Sequence, residues 1–143
     1  VGDYSRAECA SIVERMNGSI VHRGPDDDGV WAENGFGFGM RRLSIIDLAG
    51  GKQPIWDEES GRGIVFNGEV YNYKALRRDL VAKGVSGWTT ESDTEVVLKS
   101  LVNKGEEGIH TFNGMFAVAT WDKRNRSLLL IRDRMGVKPL YYY

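Results

Sequence analysis

The first stretch with helical periodicity begins at Ser5, where the pattern of a capping box pairs this residue with Glu8. Apolar residues then recur at intervals of three and four positions, which predicts a helix with one buried face. The members of that face are Cys9, Ile12, Val13 and Met16. An Asn17-Gly18 pair is a typical C-terminal stop, so we predict that the helix ends there.

Two more segments show the same periodicity. A second helix is predicted at residues 73–83, with Gly84 as its stop. Its apolar side consists of Tyr73, Leu76, Leu80 and Val81. A third helix opens with another capping box, from Ser92 to Glu95, and ends before Gly105. We expect a strand before each of these two helices.

The remaining apolar runs are short and have strand character. Residues 36–46 alternate aromatic residues with glycines, and the small residues imply close packing on one face. Residues 63–66 predict a buried strand that ends at Asn67-Gly68. Residues 115–121 and 128–132 flank a polar turn and predict an antiparallel hairpin. Grouped strands with helices on the outside predict an α+β layered domain, not an alternating parallel one.

Composition narrows the classes of partner. The 143 residues suit one domain. They include 19 basic and 20 acidic side chains, a formal net charge of -1 that predicts no nucleic-acid or anionic-membrane partner. No apolar run is long enough to span a bilayer, and the start has no signal-peptide pattern. A single cysteine excludes an internal disulfide and fits a reducing compartment, so we predict a cytoplasmic domain.

The Asn67-Gly68 pair has two interpretations. Taken alone, Asn-Gly favours a tight two-residue turn, for which it is the strongest short-range signal. Alternatively, a side-chain amide and a backbone N–H converge here on one point. Such donors stabilise the oxyanion that forms during acyl transfer.

Two charged residues, Arg42 and Asp93, also have two interpretations each. Arg42 lies in an apolar strand, where its guanidinium needs an anion, either an acidic neighbour such as Asp47 or a ligand carboxylate. Asp93 lies at a helix start, where the helix dipole alone favours a carboxylate. An amino acid ligand would use both side chains, Arg42 for its carboxylate and Asp93 for its ammonium group.

Six ordered motifs run over almost the whole chain. They are HRGPD at 22–26, RLSIID at 42–47 followed by Gln53-Pro54, NGEVYN at 67–72, SDTEV at 92–96, FNGMFA at 112–117 and RDRMGVKPLY at 132–141. In these motifs the chain resembles the class II glutamine amidotransferase domain of the N-terminal nucleophile hydrolases. Within that family it is similar to the glutaminase half of glutamine-hydrolysing asparagine synthetases. The implied fold is a four-layer αββα sandwich of antiparallel sheets, which we expect to be incomplete here at both ends.

The resemblance implies how glutamine is held. Arg42 would bind its α-carboxylate, with backbone around Ile46 also lining the pocket, and Asp93 would bind its α-ammonium group. Asn67 and Gly68 would form the oxyanion hole. Glu69 would line the pocket beside them.

The family's nucleophile is a cysteine at the mature N-terminus, activated by its own α-amino group. Residue 1 here is Val1, and Cys9 lies on the apolar helix face, where we interpret it as a small buried hydrophobe. Either the sequence starts a few residues late, or the protein is an inactive amidotransferase-like binding or assembly module. We favour the first because the pocket residues are in place. We expect the sequence by itself to have little or no glutaminase activity.

No metal or cofactor is predicted in this domain. Asp26-Asp27-Asp28 lacks the spacing of a calcium loop, and His22 and His110 lack the spacing of zinc ligands. The resemblance implies hydrolysis of glutamine to glutamate and ammonia, and transfer of that ammonia to a carboxylate. ATP and magnesium, which activate the carboxylate, are expected in a synthetase domain fused C-terminally. The resemblance is also compatible with a homodimer.

Overall fold

The structure is a computed structural model and describes residues 2–42 and 52–143. The chain forms two compact units, Val1–Pro54 and Ile55–Tyr143. Each unit contains its own antiparallel sheet.

Helix α1, Arg6–Ser19, opens the first unit with the predicted capping box. Ser5 Oγ accepts from the Glu8 N–H at 3.3 Å, and the Glu8 carboxylate accepts from the Ser5 N–H at 2.8 Å. The predicted end of the helix is wrong by one to two residues. The Asn17 side chain does not stop the helix, because it is buried and donates to the backbone oxygens of two strand residues, Gly29 and Met40. Met16, predicted to be buried, is 63% exposed.

Strands β1, Asp27–Glu33, and β2, Phe36–Arg42, form an antiparallel hairpin beside α1. A Cβ atom added to Gly37 would lie 2.8 Å from a methyl of Val13, and one added to Gly39 would lie 2.5 Å from the other methyl. Only glycine leaves room for the helix at this distance. The predicted close packing on this strand is therefore confirmed, while residues 43–46 of the predicted strand lie outside the described residues.

The second unit contains a four-stranded sheet in the order β3-β4-β5-β6, with every neighbouring pair antiparallel. The strands are β3 Ile55–Asp57, β4 Arg62–Val70, β5 Gly114–Asp122 and β6 Ser127–Arg132. The predicted hairpin of β5 and β6 is confirmed. The short β3 was not predicted, because three residues are too few to show a periodicity.

Two helices of this unit pack against each other, and the second of them packs on β3 and β4. Helix α2, Tyr73–Ala82, follows β4 as expected, but α3, Asp93–Lys104, follows α2 through a loop and not through a strand. The core between helices and sheet includes Ile64, Phe66, Val70, Leu80, Val97, Leu101, Phe116 and Val118. Val81, predicted to share the buried side of α2, is 52% exposed because each helical residue is rotated about 100° from its neighbour, here Leu80.

Candidate functional site

Asn67 and Gly68 lie inside β4 and not in a turn, so the turn interpretation is wrong. Asn67 pairs with Ala117 and Gly68 with Phe116 on β5. Side chains alternate between the two faces of a strand, and the exposed Asn67 lies on the face opposite the core. Glu69, two residues on, is exposed on that same face. The amide of Asn67 and the carboxylate of Glu69 therefore share one surface of the sheet.

Two glycines allow β4 and β5 to approach closely at this point. Gly68 has φ +147°, and a Cβ atom there would lie 2.0 Å from the backbone oxygen of Met115. A Cβ atom on Gly114 would lie 2.1 Å from the backbone oxygen of Glu69. Both distances are far below van der Waals contact. The backbone path at Gly68 therefore requires glycine.

Asp93 is the first residue of α3, and its carboxylate reaches the end of β4. Its Oδ2 accepts from the backbone N–H of Val70 at 3.0 Å. This bond places Asp93 two residues along the strand from Gly68. The side chain remains partly open to solvent.

Burial raises the pKa of the Asp93 carboxyl above its ordinary value, and the negative charge of Glu69 acts in the same direction. Hydrogen bonds from the backbone N–H groups of Val70, Thr94 and Asp93 itself offset part of this rise in pKa. Within residues 2–42 and 52–143, no lysine or arginine forms an ion pair with Asp93 or Glu69. Two neighbouring carboxylates without a protein cation favour the binding of a cationic ligand group, such as an ammonium.

The cap of α3 differs from the predicted capping box. Ser92 Oγ accepts from the Glu95 N–H at 3.3 Å, as expected. The Glu95 side chain does not return to the Ser92 N–H, because the hydroxyl of Thr90 accepts from that N–H at 3.2 Å. Glu95 binds Thr89 and Thr90 instead.

Arg42 is the last residue of β2, in the first compact unit, whereas residues 67–69 and Asp93 lie in the second. Its backbone oxygen accepts from the Asp26 N–H at 3.1 Å. The neighbouring Arg41 has an ion pair with Asp28 at 3.9 Å. Ile46 and Asp47 lie outside the described residues, so the structure leaves the predicted pocket backbone and the internal partner for Arg42 as predictions.

Cys9 is buried in α1, as its position on the apolar face predicted. The described part of the chain contains no group of three or more histidine, cysteine, aspartate or glutamate side chains that could hold a metal ion. Nor does any helix among residues 2–42 and 52–143 have the length and apolar character needed to cross a membrane.

Asp133 is a buried residue whose role the sequence reasoning missed. Its carboxylate accepts from the backbone N–H groups of Val137 and Lys138 at 2.9 Å each, and from that of Phe116 at 3.2 Å. The hydrogen bond from Lys138, followed by those from the other N–H groups, lowers the pKa of this carboxyl. Phe116 is the partner of Gly68, so Asp133 supports the strand beside the candidate site. An aspartate at a strand end with a glycine three residues later is the signal that indicates such a loop.

A family model described as a glutamine amidotransferase domain matches residues 2–143. The chain is 47% identical over 136 residues to glutamine-hydrolyzing asparagine synthetase 1 of Bacillus subtilis (strain 168), covering 95% of this chain and 21% of that protein. It is 42% identical over 132 residues to glutamine-hydrolyzing asparagine synthetase 3 of the same strain, covering 91% of this chain and 21% of that protein. The chain thus spans about one fifth of the length of the curated relatives it matches.

Among solved structures, the chain is similar to a glutamine phosphoribosylpyrophosphate amidotransferase from B. subtilis in complex with ADP and GMP. The TM-score is 0.60 at 19% identity, covering 76% of this chain and 25% of that chain. At this level of identity the likeness concerns the fold alone. It confirms the predicted α+β fold with antiparallel sheets.

Proposed function

Because this chain belongs to the glutamine amidotransferase domain family, we propose that it is the glutaminase part of an asparagine synthetase-like enzyme. The proposed reaction hydrolyses the side-chain amide of glutamine to glutamate and ammonia. The ammonia is then transferred to a carboxylate activated with ATP and magnesium in a C-terminal synthetase domain. The much greater length of the curated relatives supports such a fusion.

The observation that carries this proposal is the position of Asp93 beside the Asn67-Gly68 strand segment. Its carboxylate is held at 3.0 Å by the Val70 N–H, and the charge of Glu69 lies near it. An α-ammonium bound here would offset part of the negative charge of two carboxylates, neither of which forms an ion pair with a lysine or arginine within the described residues. The rest of the same ligand would then lie along β4.

Each site residue has a defined role in this proposal. Arg42 binds the α-carboxylate of glutamine through its planar fork of N–H donors. Asn67 and the Gly68 N–H stabilise the negative oxygen that appears when the amide carbon becomes tetrahedral. A site that recognises both polar ends of an amino acid rejects analogues that lack one of them far better than an apolar pocket does.

The reaction also needs a nucleophile. Cys9 is buried in α1, so we assign this role to an N-terminal cysteine of the complete protein. Its α-amino group would take the proton of the thiol, and the thiolate would attack the amide carbon. The α-amino group would then return that proton to the amide nitrogen, which leaves as ammonia, and water would hydrolyse the thioester to glutamate and the free thiol. We further propose a cytoplasmic location, because a single cysteine fits a reducing compartment. A homodimer is proposed on the basis of the resemblance.

The test is the release of glutamate from L-glutamine by the complete protein, with Asn67→Ala as the variant. Loss of one oxyanion donor lowers kcat by about 10²–10³-fold. Asn103→Ala removes a side-chain amide from the exposed end of α3 and should retain full activity. Equal activity of Asn67→Ala and wild type would contradict the oxyanion role. If the complete protein binds glutamine without hydrolysing it, the inactive binding or assembly module becomes the better description.

A further inference from the structure

We propose that Glu95 is a positioning residue that fixes Asp93 by holding the loop that precedes α3, residues 89–92. The inference rests on the proposed role of Asp93 in binding the α-ammonium group. It assigns to Glu95 no contact with the ligand. The connection is made through Thr89, Thr90 and Ser92.

Glu95 is buried, only 2% exposed, and both oxygens of its carboxylate accept hydrogen bonds from the loop. Its Oε1 accepts from the backbone N–H of Thr89 at 2.8 Å and from the Thr89 hydroxyl at 3.1 Å. Its Oε2 accepts from the backbone N–H of Thr90 at 2.6 Å and from the Thr90 hydroxyl at 2.8 Å. A buried carboxylate is costly unless it is hydrogen-bonded, and these four donors offset that cost.

The Thr90 hydroxyl passes this constraint on to the residue before Asp93. Its single hydrogen is donated to Glu95, so the Ser92 hydroxyl is the donor in their 2.8 Å contact. The Thr90 oxygen also accepts from the Ser92 N–H at 3.2 Å. Ser92 is therefore held through its side chain and its backbone, and the next residue is Asp93.

Arg77 on α2 provides a second attachment for the same loop. Its Nη1 donates to the backbone oxygen of Thr90 at 2.7 Å, and its Nη2 pairs with Glu91 at 2.9 Å. The guanidinium also lies 4.5 Å from the centre of the Trp88 ring. The loop is thus fixed from α2 and from α3.

Asp93 is consequently held on both sides. The loop sets its backbone, and the Val70 N–H sets its carboxylate. An ion pair with an α-ammonium depends steeply on distance and angle, so a displaced loop would weaken this contact first. Contacts with the carboxylate and the amide of glutamine would change less.

The experiment compares two ligands that differ only in the α-amino group. L-glutamine and 4-carbamoylbutanoate, which lacks that group, are titrated by calorimetry into the complete protein with its N-terminal nucleophile changed to alanine, so that glutamine is not hydrolysed during the titration. The readout is the ratio of their affinities. A general loss of folding lowers both affinities, whereas displacement of Asp93 lowers the ratio.

Two variants perturb the loop to different degrees. Glu95→Gln removes the charge and one acceptor, and we expect the affinity ratio to fall roughly tenfold. Thr90→Val keeps the shape and the backbone N–H but removes the hydroxyl, and we expect a severalfold fall. If Glu95→Gln does not fold, Thr90→Val decides the question.

The matched control is Lys99→Met, one turn further along α3. Lys99 is also buried and charged, but its Nζ pairs with Asp57 at 3.2 Å and not with Thr89 or Thr90. We expect it to lower stability and leave the affinity ratio at the wild-type value. If Glu95→Gln and Thr90→Val fold and keep the wild-type affinity ratio, the positioning role of Glu95 is wrong, while the role of Asp93 is unaffected. A wild-type protein that does not prefer glutamine over 4-carbamoylbutanoate would overturn the role of Asp93 itself.

Discussion

The carboxylate of Asp93 accepts a hydrogen bond from the backbone N–H of Val70 at 3.0 Å. This bond joins the start of α3 to the end of β4, although the two residues are 23 positions apart. It brings a carboxylate with a raised pKa to the strand that contains Asn67 and Gly68. The arrangement costs stability and creates a place for a cation, which is typical of a functional site.

Asp93→Asn should stabilise the folded protein near neutral pH. The folded-state pKa of Asp93 is raised by burial and by the charge of Glu69, so its contribution to stability is fully present below the unfolded-state pKa and is lost as the pH rises through the folded-state pKa. Asparagine stays neutral and still offers an oxygen to the Val70 N–H. Thermal denaturation should give a higher Tm for Asp93→Asn at pH 7.5, with the difference shrinking toward pH 4.5. A lower Tm than wild type at pH 7.5 would contradict this.

Asp133→Asn should have the opposite effect on stability. Hydrogen bonds from the N–H groups of Lys138, Val137 and Phe116 lower the pKa of Asp133, so its contribution is present above the unfolded-state pKa and is lost as the pH falls through the folded-state pKa. We expect a lower Tm than wild type at pH 7.5 and a smaller difference in acid. Asp79→Asn, at an exposed position of α2, serves as the control and should leave Tm unchanged at both pH values.

Gly68→Ala should destabilise the protein by about 3 kcal/mol or more, because the new Cβ atom would overlap the Met115 backbone oxygen. Gly84→Ala is the matched control, with φ +87° but no atom within 4 Å of the added Cβ. It should cost about 1–2 kcal/mol, from the left-handed backbone alone. Urea denaturation measures both. Equal losses would show that close approach of β5 is not what requires glycine at position 68.

Arg42→Ala should abolish the rise in Tm that L-glutamine causes in the complete protein, because the ligand carboxylate loses its partner. Arg41→Ala removes the adjacent guanidinium, which pairs with Asp28, and should keep the glutamine effect. Differential scanning fluorimetry with and without glutamine measures both variants. A glutamine-dependent shift that survives in Arg42→Ala would place the carboxylate contact elsewhere.

Local signals in the sequence predicted the elements whose structure is decided locally. The capping box of Ser5 and Glu8 and the hairpin of β5 and β6 are examples, since the first joins residues three positions apart and the second joins strands that follow each other in the sequence. The end of α1 could not be predicted in this way. It depends on hydrogen bonds from Asn17 to Gly29 and Met40, which are distant in sequence.

In the candidate site, too, the signals from neighbouring residues differ from what contacts formed in the fold produce. Asn67-Gly68 has the local signal of a turn, but pairing with Ala117 and Phe116 of β5, which are distant in sequence, keeps both residues in a strand. Glu95 has the sequence pattern of a capping box, but the Ser92 N–H donates to the Thr90 hydroxyl instead. The Glu95 carboxylate therefore accepts from the N–H groups of Thr89 and Thr90. The ordered motifs predict which residues belong to the site and what each of them does, and both stay predictions.

The assignment of this site is tested most directly by a calorimetric titration of L-glutamine at pH 7.5 into the complete protein and into Asp93→Asn, both with the N-terminal nucleophile changed to alanine so that glutamine is not hydrolysed. We predict that the wild type binds glutamine and that Asp93→Asn binds it at least about tenfold more weakly, a loss of roughly 1.4 kcal/mol. Asp93→Asn should at the same time be at least as stable as the wild type, so the loss cannot come from unfolding. Equal glutamine affinity in the two proteins, or no binding by the wild type, would contradict the assignment of this site to glutamine.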